Sequence, residues 1–331
     1  MNFMGRVTSK ARANRKTIVL PESKDRRVIE AAEYVISEGI ANIILIGNRG
    51  EVTEAFPDVN LEGATFIEPT ISEHLDEMVS TYYELRKHKG VTMEQAKAAM
   101  LQPTPFGVML VKIGLADGLV AGAVNTTADT LRPALQILRT KPGTKLVSAF
   151  FLVVSPHSCY GKDGMVLMSD CALNLDPSPE ELSEIAISSA RTWQTLTGTE
   201  ARVALLSYSS YGSGKGESPK KVAEAVRLAK EKAPDLTIDG ELQADAALVP
   251  AVADFKTPGS AIAGHANCLI FPDLDSANIG YKLVQRLGGA EAYGPMLQGI
   301  GKPVNDLSRG CETRDIIGVI GLTCIQAQEE S

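Results

Sequence analysis

Short apolar segments alternate with longer amphipathic segments in the first part of the chain. Thr17–Glu22 and Asn42–Gly47 are apolar runs, and residues 64–68 form a third. Between the first two runs, apolar side chains recur at helical spacing over residues 23–38. This alternation predicts βαβ units, which build a parallel sheet with helices on both faces.

The pattern continues as a mostly helical stretch over residues 72–114, followed by a predicted strand at 118–124. A polar turn at 125–132 comes directly after that strand. Ligands of open α/β sheets bind at the carboxyl ends of strands, so this turn is a candidate binding segment.

The alternation resumes after Pro142 and Gly143, which predicts a domain boundary near residue 145. Helices are expected in this second series at 179–196, 218–232 and 275–287, with Ser218 as an N-cap. Its predicted strands cover residues 145–155, 164–173, 202–207, 236–242 and 267–271. Residues 294–303, rich in Gly and Pro, predict a loop, and the apolar run 316–325 predicts a final helix.

Composition and charge limit the possible functions. The chain has 331 residues, of which 44% are apolar and 22% charged, and its formal net charge is −7. This composition is typical of a globular protein, and it provides no overall positive field for nucleic acid. The cysteines, five in number, have no paired spacing, which predicts reduced thiols and a cytoplasmic location. No apolar run is long enough to span a bilayer.

The segment 305–315 combines several kinds of reactive side chain between the Gly/Pro-rich loop and the last predicted helix. Ser308, Arg309 and Asp315 supply a hydroxyl, a permanent cation and a carboxylate, a set that suits a phosphorylated substrate. Structural roles are open for all three: a turn hydroxyl, a surface ion pair and an acid at a helix start with Thr313 as N-cap. Cys311 has no adjacent histidine to act as its base, which favours a buried apolar role.

Other candidates carry weaker signals. The 207–217 loop is rich in Gly, Ser and Lys but lacks the Walker A spacing, so ligand contact and a plain loop stay open. Arg86 and Arg132 lie on predicted helices, and Arg132 is close to the polar turn. The acidic side chains of Asp239, Glu241 and Asp245 suggest either Mg²⁺ or a solvated loop.

Six segments, taken together and in order, resemble the phosphate acetyltransferase (phosphotransacetylase) family in its short, single-unit form. They are Thr17–Glu22, Gly122–Gln136, Ser169–Asn174, Asp239–Asp245, Phe271–Lys282 and Asn305–Gly310. The resemblance implies two α/β/α domains like those of the isocitrate and isopropylmalate dehydrogenases, with an active-site cleft between them. It implies that residues 1–145 and 302–331 form the first domain and 146–301 the second, and that the protein is a homodimer.

The resemblance also implies a reaction, acetyl-CoA + phosphate ⇌ acetyl phosphate + CoA, by direct attack of the thiolate in a ternary complex. Asp315 would be the base, with Arg309 and Ser308 completing the catalytic set. Arg86 and Arg132 would hold coenzyme A, together with the polar turn residues Asn125, Thr127 and Thr130. No prosthetic group and no metal ligand are implied, and coenzyme A and phosphate are expected as substrates, with neither nucleic acid nor membrane as a partner.

Three alternatives remain beside this interpretation. A phosphate butyryltransferase would share the fold and the reaction type. A metal-dependent hydroxyacid dehydrogenase of the same fold would require NAD(P) and Mg²⁺ or Mn²⁺. A ligand-binding or regulatory module would have kept the fold without catalysis.

Overall fold

The computed structural model describes residues 3–157 and 159–328. In chain order its helices are α1 (Phe3–Ala13), α2 (Arg26–Ser37), α3 (Arg49–Ala55), α4 (Leu75–Arg86), α5 (Met93–Met100), α6 (Pro103–Lys112), α7 (Thr127–Ile137), α8 (Pro179–Thr197), α9 (Glu217–Lys232), α10 (Ala244–Leu248), α11 (Pro250–Lys256), α12 (Leu274–Gly288) and α13 (Thr313–Gln328). The strands are β1 (Thr17–Leu20), β2 (Asn42–Ile46), β3 (Thr65–Ile67), β4 (Gly118–Ala121), β5 (Ser148–Val154), β6 (Met165–Ser169), β7 (Arg202–Leu206), β8 (Thr237–Leu242), β9 (Cys268–Ile270), β10 (Glu291–Gln298) and β11 (Val304–Asp306).

Two compact units divide the chain, the first of Met1–Pro142 with Ile300–Ser331 and the second of Gly143–Gly299. The strands of the first unit follow the order β3-β2-β1-β4-β11, and every neighbouring pair in it is parallel. Strands buried on both faces are expected to be continuously apolar. Ile18, Val19 and Leu20 of β1 accordingly have at most 1% of their surface exposed.

The second unit has the strand order β10-β5-β6-β9-β7-β8. Here β6, β9, β7 and β8 run parallel, whereas β10 and β6 both pair antiparallel with β5. The prediction of mostly parallel sheets is confirmed, and the antiparallel pairs of β5 with β10 and β6 are the exception to it.

Local sequence signals explain where several helices begin and end. Ser178 and Glu181 form a capping box at the start of α8, and Gly198 closes that helix in the left-handed conformation. The side chain of Asp25 caps α2 by accepting a hydrogen bond from the backbone N–H of Arg27.

The pattern gave the wrong element in some places. Gly294 and Pro295, expected in a loop, lie inside β10, at a shift in its register against β5 between Tyr293 and Met296. A proline is tolerated there because a bulge removes the need for its missing N–H. Ser218 is not the N-cap of α9, which begins at Glu217 after Gly216. The helices α1, α3 and α11 and the strands β10 and β11 were not predicted.

The last helix, α13, belongs to the first unit, where it packs against α1, α2 and β4. Its apolar residues from Ile316 to Ile325 are almost all buried. The C-terminal segment is therefore an internal layer of the first unit, and the loop that precedes it is anchored on both sides. No helix among the described residues is both long enough and apolar enough to cross a bilayer.

Candidate active site

The sheet of the first unit brings three loops to one edge. Strands β1, β4 and β11 are parallel and adjacent, with β4 in the middle, so their carboxyl ends point the same way. The loops that follow them contain Glu22, residues 122–126 and residues 307–312. The predicted catalytic segment and the predicted binding turn are thus neighbours in space although they are far apart in sequence.

The carboxylate of Glu22 binds the backbone amides of the turn after β4. One oxygen accepts the backbone N–H of Gly122 at 2.9 Å and of Ala123 at 2.8 Å. The other accepts the N–H of Val124 at 3.0 Å and of Asn125 at 2.8 Å. Four successive amides around one anion form a concave nest, a strong arrangement because each bond is charge-assisted.

The guanidinium of Arg27 joins this turn to the loop after β11. Its Nη1 donates to the carbonyl oxygens of Arg309 and Cys311, both at 2.9 Å. Its Nη2 donates to the carbonyl oxygen of Ala123 and to the Asp25 carboxylate, both at 2.8 Å, and its Nε donates to the same carboxylate at 3.0 Å. The hydrogen bond from Arg27 is the main reason why the pKa of Asp25 lies below its ordinary value.

A buried carboxyl lies beneath the same two loops. Asp306 ends β11 with no exposed surface, and neither of its oxygens has a hydrogen-bond partner among the described residues. Burial raises the pKa of Asp306 to about 6; the nearby Thr127 and Thr130 hydroxyls oppose the rise without making well-directed hydrogen bonds to it. A Cβ on Gly122, which has φ of +107°, would lie 2.1 Å from one Asp306 oxygen, so this position requires glycine.

Ser308 and Arg309 are exposed at the tip of the loop. The Ser308 hydroxyl accepts only a 3.3 Å hydrogen bond from the Gly310 amide, and the Arg309 guanidinium has no partner in the described part of the chain. Cys311 is buried as predicted, and burial raises the pKa of its thiol to about 11. The loop therefore presents a free cation and a hydroxyl, while its thiol is kept protonated.

Asp315 lies in the first turn of α13 and is partly buried. One of its oxygens accepts the backbone N–H of Glu312 at 2.9 Å, and the other lies 3.9 Å from Nε of Arg314. Thr313 does not act as the N-cap: it is the first residue of the helix, and its hydroxyl donates to Glu30 at 3.1 Å.

A cavity of about 750 Å³ opens at the carboxyl ends of β1 to β4 in the first unit. Asn125 and Arg132 line it, and Arg132 is exposed. Its lining does not include Arg86, at the end of α4, whose Nε is buried without a partner among the described residues. Thr130 is fully buried. The structure thus brings Asn125 and Arg132 to one cavity and leaves Arg86 and Thr130 off its surface.

The three acidic candidates of the second unit, Asp239, Glu241 and Asp245, accept hydrogen bonds within the protein. Asp239 accepts hydrogen bonds from Tyr211, Ser260 and Lys230, and Asp245 pairs with Lys256. No group of three or more His, Cys, Asp or Glu residues in the described ranges is placed to hold a metal ion.

Four residues of the site were missed by sequence reasoning, namely Glu22, Asp25, Arg27 and Asp306. The first three follow the end of β1, where polar residues after a buried strand were a usable signal. Asp306 gave no local signal, because two of the three residues of its strand are polar.

Comparison with known proteins gives consistent matches. The family model described as phosphate acetyl/butaryl transferase matches residues 2–324. A phosphate acetyltransferase of Acetivibrio thermocellus is 55% identical over 328 residues, which are 99% of each chain. The crystal structure of a phosphotransacetylase from Streptococcus pyogenes matches with a TM-score of 0.92 at 43% identity, over 99% of this chain and 100% of that one. A 4-hydroxythreonine-4-phosphate dehydrogenase of Klebsiella pneumoniae, 12% identical with a TM-score of 0.53 over 95% of this chain and 100% of that one, shares the fold alone.

Proposed function

The chain belongs to the phosphate acetyl/butaryl transferase family and is an acyltransferase that moves an acetyl group reversibly between coenzyme A and phosphate, and we propose that the loop after β11 carries the reaction. The observation that carries this assignment is the exposed Arg309 guanidinium, which has no partner in the described residues although the backbone of its loop is held firmly. An exposed, unpaired cation beside a hydroxyl is suited to a phosphate group and to the negative charge that develops on an acyl carbonyl.

In the direction of acetyl-CoA synthesis, the thiol of coenzyme A attacks the carbonyl carbon of acetyl phosphate. A C–S bond forms, the bond between the carbonyl carbon and the bridging oxygen breaks, and phosphate leaves with that oxygen and the bonding electrons. Asp315 takes the thiol proton as the sulfur attacks. Arg309 holds the phosphate and stabilises the tetrahedral oxyanion, and the Ser308 hydroxyl donates a hydrogen bond to the same group.

Coenzyme A is polyanionic, and the protein as a whole is acidic, so its binding needs a local positive region. We assign that task to Arg132 and Arg86. The place of Arg132 on the cavity, together with Asn125, supports the first assignment. The unpartnered Nε of Arg86 supports the second. We assign a ligand contact also to Thr127, the partly exposed first residue of α7. Because Thr130 is buried, we put it behind the binding surface.

The test of the catalytic assignment is Asp315→Asn, assayed by the release or consumption of free thiol with acetyl-CoA and phosphate. Turnover should fall by about 10² to 10⁴-fold, as expected for loss of a general base, with coenzyme A affinity nearly unchanged. Glu312→Gln is the matched control, because Glu312 is an exposed carboxylate of the same loop, and it should keep turnover within twofold. Near-normal turnover in Asp315→Asn would remove it from the base role.

Acyl preference is tested with acetyl-, propionyl- and butyryl-CoA in the same assay. We expect acetyl to be preferred, because the similar proteins are named phosphate acetyltransferases. A preference for butyryl would favour the butyryltransferase alternative. Each methylene is worth only about 1–3 kcal/mol of discrimination, so the rates must be compared quantitatively. Activity that survives EDTA and needs no added cofactor would support the proposal that no prosthetic group is required.

We further propose a homodimer in the cytoplasm. Support for self-association comes from one face of α12, where Ile279, Leu283 and Leu287 have 57%, 52% and 83% of their surface exposed. These residues recur at four-residue spacing, so they form one apolar stripe. The cysteines, all five of them free, support a reducing compartment. Light scattering would give the molar mass in solution, and a monomer would contradict the dimer.

A further inference from the structure

Arg27 is the best-connected cation of the site, yet it has no hydrogen-bonding capacity left for a substrate. A guanidinium has five N–H donors in a rigid plane. In Arg27 two of them meet the Asp25 carboxylate, two meet the carbonyls of Arg309 and Cys311, and one meets the carbonyl of Ala123. Because all five are engaged, this side chain is suited to hold the protein rather than the ligand.

The groups that Arg27 joins belong to two loops that need to act together. Residue 309 is 282 positions away in sequence, and residue 123 is 96 positions away. The first loop carries Ser308 and the proposed phosphate-binding Arg309, and the second leads into Asn125 and Thr127. A planar group bonded to the carbonyls of both loops sets the distance and the angle between them.

Other contacts make this connection rigid. Both oxygens of Asp25 accept hydrogen bonds from the guanidinium, and Asp25 also accepts the Arg27 backbone N–H at 2.9 Å. The Arg27 side chain is therefore held in place by the N-cap residue of α2. The Asp25 side chain has only 15% of its surface exposed, and that of Arg27 31%. Glu22 independently holds the amides of the turn after β4. One loop is therefore held twice, whereas the carbonyls of Arg309 and Cys311 are both held by Arg27.

We infer that Arg27 is a positioning residue for acetyl transfer, which aligns the Ser308–Arg309 loop with the coenzyme A-binding turn through its carbonyl contacts. This inference rests on the proposed function of both loops. Misalignment of reacting groups by about 1 Å can cost about 10²-fold in rate, whereas binding of coenzyme A should depend mainly on the turn that Glu22 still holds.

The test compares Arg27→Lys with Arg26→Lys. A lysine keeps the charge but has one ammonium group, which cannot span the two loops. We expect kcat to fall about 100-fold in Arg27→Lys, with KM for coenzyme A within threefold of the wild type. Arg26, its neighbour on α2, pairs instead with Glu30 and Asp58 on the surface, so Arg26→Lys should keep kcat within twofold.

A double variant shows whether Arg27 acts through Arg309. If it does, adding Arg27→Lys to Arg309→Gln should lower kcat by less than threefold further, because the group being aligned is already gone. Multiplicative losses would overturn the inference, and so would a raised KM with unchanged kcat. If Arg27→Lys does not fold, Asp25→Asn should give the same fall in kcat by releasing the guanidinium, and normal kcat there would overturn the inference.

The two proposals fail in different ways. If Arg309→Gln keeps normal turnover, the proposed reaction centre is wrong. If Arg309→Gln is impaired but Arg27→Lys keeps kcat within twofold of the wild type, the reaction centre stands and the positioning role is wrong.

Discussion

Two regions of the molecule are built around carboxylates: the loops after β1, β4 and β11 in the first unit, and the loop after β7 in the second. The side chains of these two regions have different hydrogen-bond partners. In the first unit Glu22 and Arg27 bind mainly backbone groups. In the second unit Glu241, which is 5% exposed, accepts the Ser209 hydroxyl and the Gly212 amide. The Tyr211 hydroxyl donates a hydrogen bond to Asp239, so polar side chains of that loop are engaged in bonds within the protein.

The difference explains why only one of two polar, glycine-containing loops is a good candidate for chemistry. A side chain can act on a substrate only if the fold does not need it. Where a framework holds the main chain, as around residues 307–311, the side chains of Ser308 and Arg309 stay available. Where side chains close the loop, as at Ser209 and Tyr211, the same residue types serve stability.

The comparison is tested most strongly by removing a cation from each loop. Arg309→Gln should lower kcat by about 10² to 10³-fold, because it removes a group that stabilises charge in the transition state. Lys215→Gln, in the loop after β7, should leave kcat within twofold. Steady-state assays of both variants decide the matter, and equal losses would mean that both loops serve the reaction.

Gly122→Ala tests how tightly the turn after β4 packs against Asp306. The new Cβ would collide with Asp306 and would also be held at φ of +107°, so we expect a loss of about 4 kcal/mol in the free energy of unfolding. Gly143→Ala is the control: its φ is +80°, but nothing lies within 4 Å of the added Cβ. It should cost only about 1–2 kcal/mol in the same denaturant titration.

The smallest expected effect, and the most specific one, is the pH dependence of stability that Asp306 causes. Burial raises its pKa from 3.8 to about 6, so the folded state binds this proton more tightly than the unfolded state does. Stability from this group is therefore present at low pH and is lost as pH rises from about 4 to about 6. The loss should be about 3 kcal/mol at 1.36 kcal/mol per pKa unit.

In Asp306→Asn that part of the pH dependence should disappear, which can be measured as the free energy of unfolding at several pH values between 4 and 7. An identical pH profile in the wild type and the variant would show that Asp306 does not carry the raised pKa. The fully paired Asp239 is the matched contrast, because its pKa lies below the ordinary value. Stability from Asp239 should be lost as pH falls, the opposite direction.

Much of the fold was predictable from local patterns. Apolar runs such as Thr17–Leu20 and capped helices such as α8 carry their own signals in period and end residues. The strands that were missed carry no such signals. β11 is three residues long and includes buried Asn305 and Asp306, and β10 contains Gly294 and Pro295, so both resemble loops until their neighbours are known.

The residues of the candidate site likewise fall into those that the sequence predicted and those that it did not. Ser308, Arg309 and Asp315 were predicted because the chain resembles a family, and because their types suit a phosphorylated substrate. Glu22, Asp25 and Arg27 were not found. The polar residues after β1 signalled a place, but the partners of Glu22 and Arg27 lie about one hundred and nearly three hundred positions away, so no local pattern shows what these side chains bind.

The sequence by itself determined the α/β class, most of the strands and helices, and the family that the chain resembles. Only the tertiary structure decided which polar groups are used inside the protein and which stay free. The reason is physical: a hydrogen bond needs both partners within about 3 Å, and parallel strands β1, β4 and β11 bring theirs together only once the sheet has formed. Arg27 and Arg309 are chemically the same residue, and their different tasks follow from that arrangement alone.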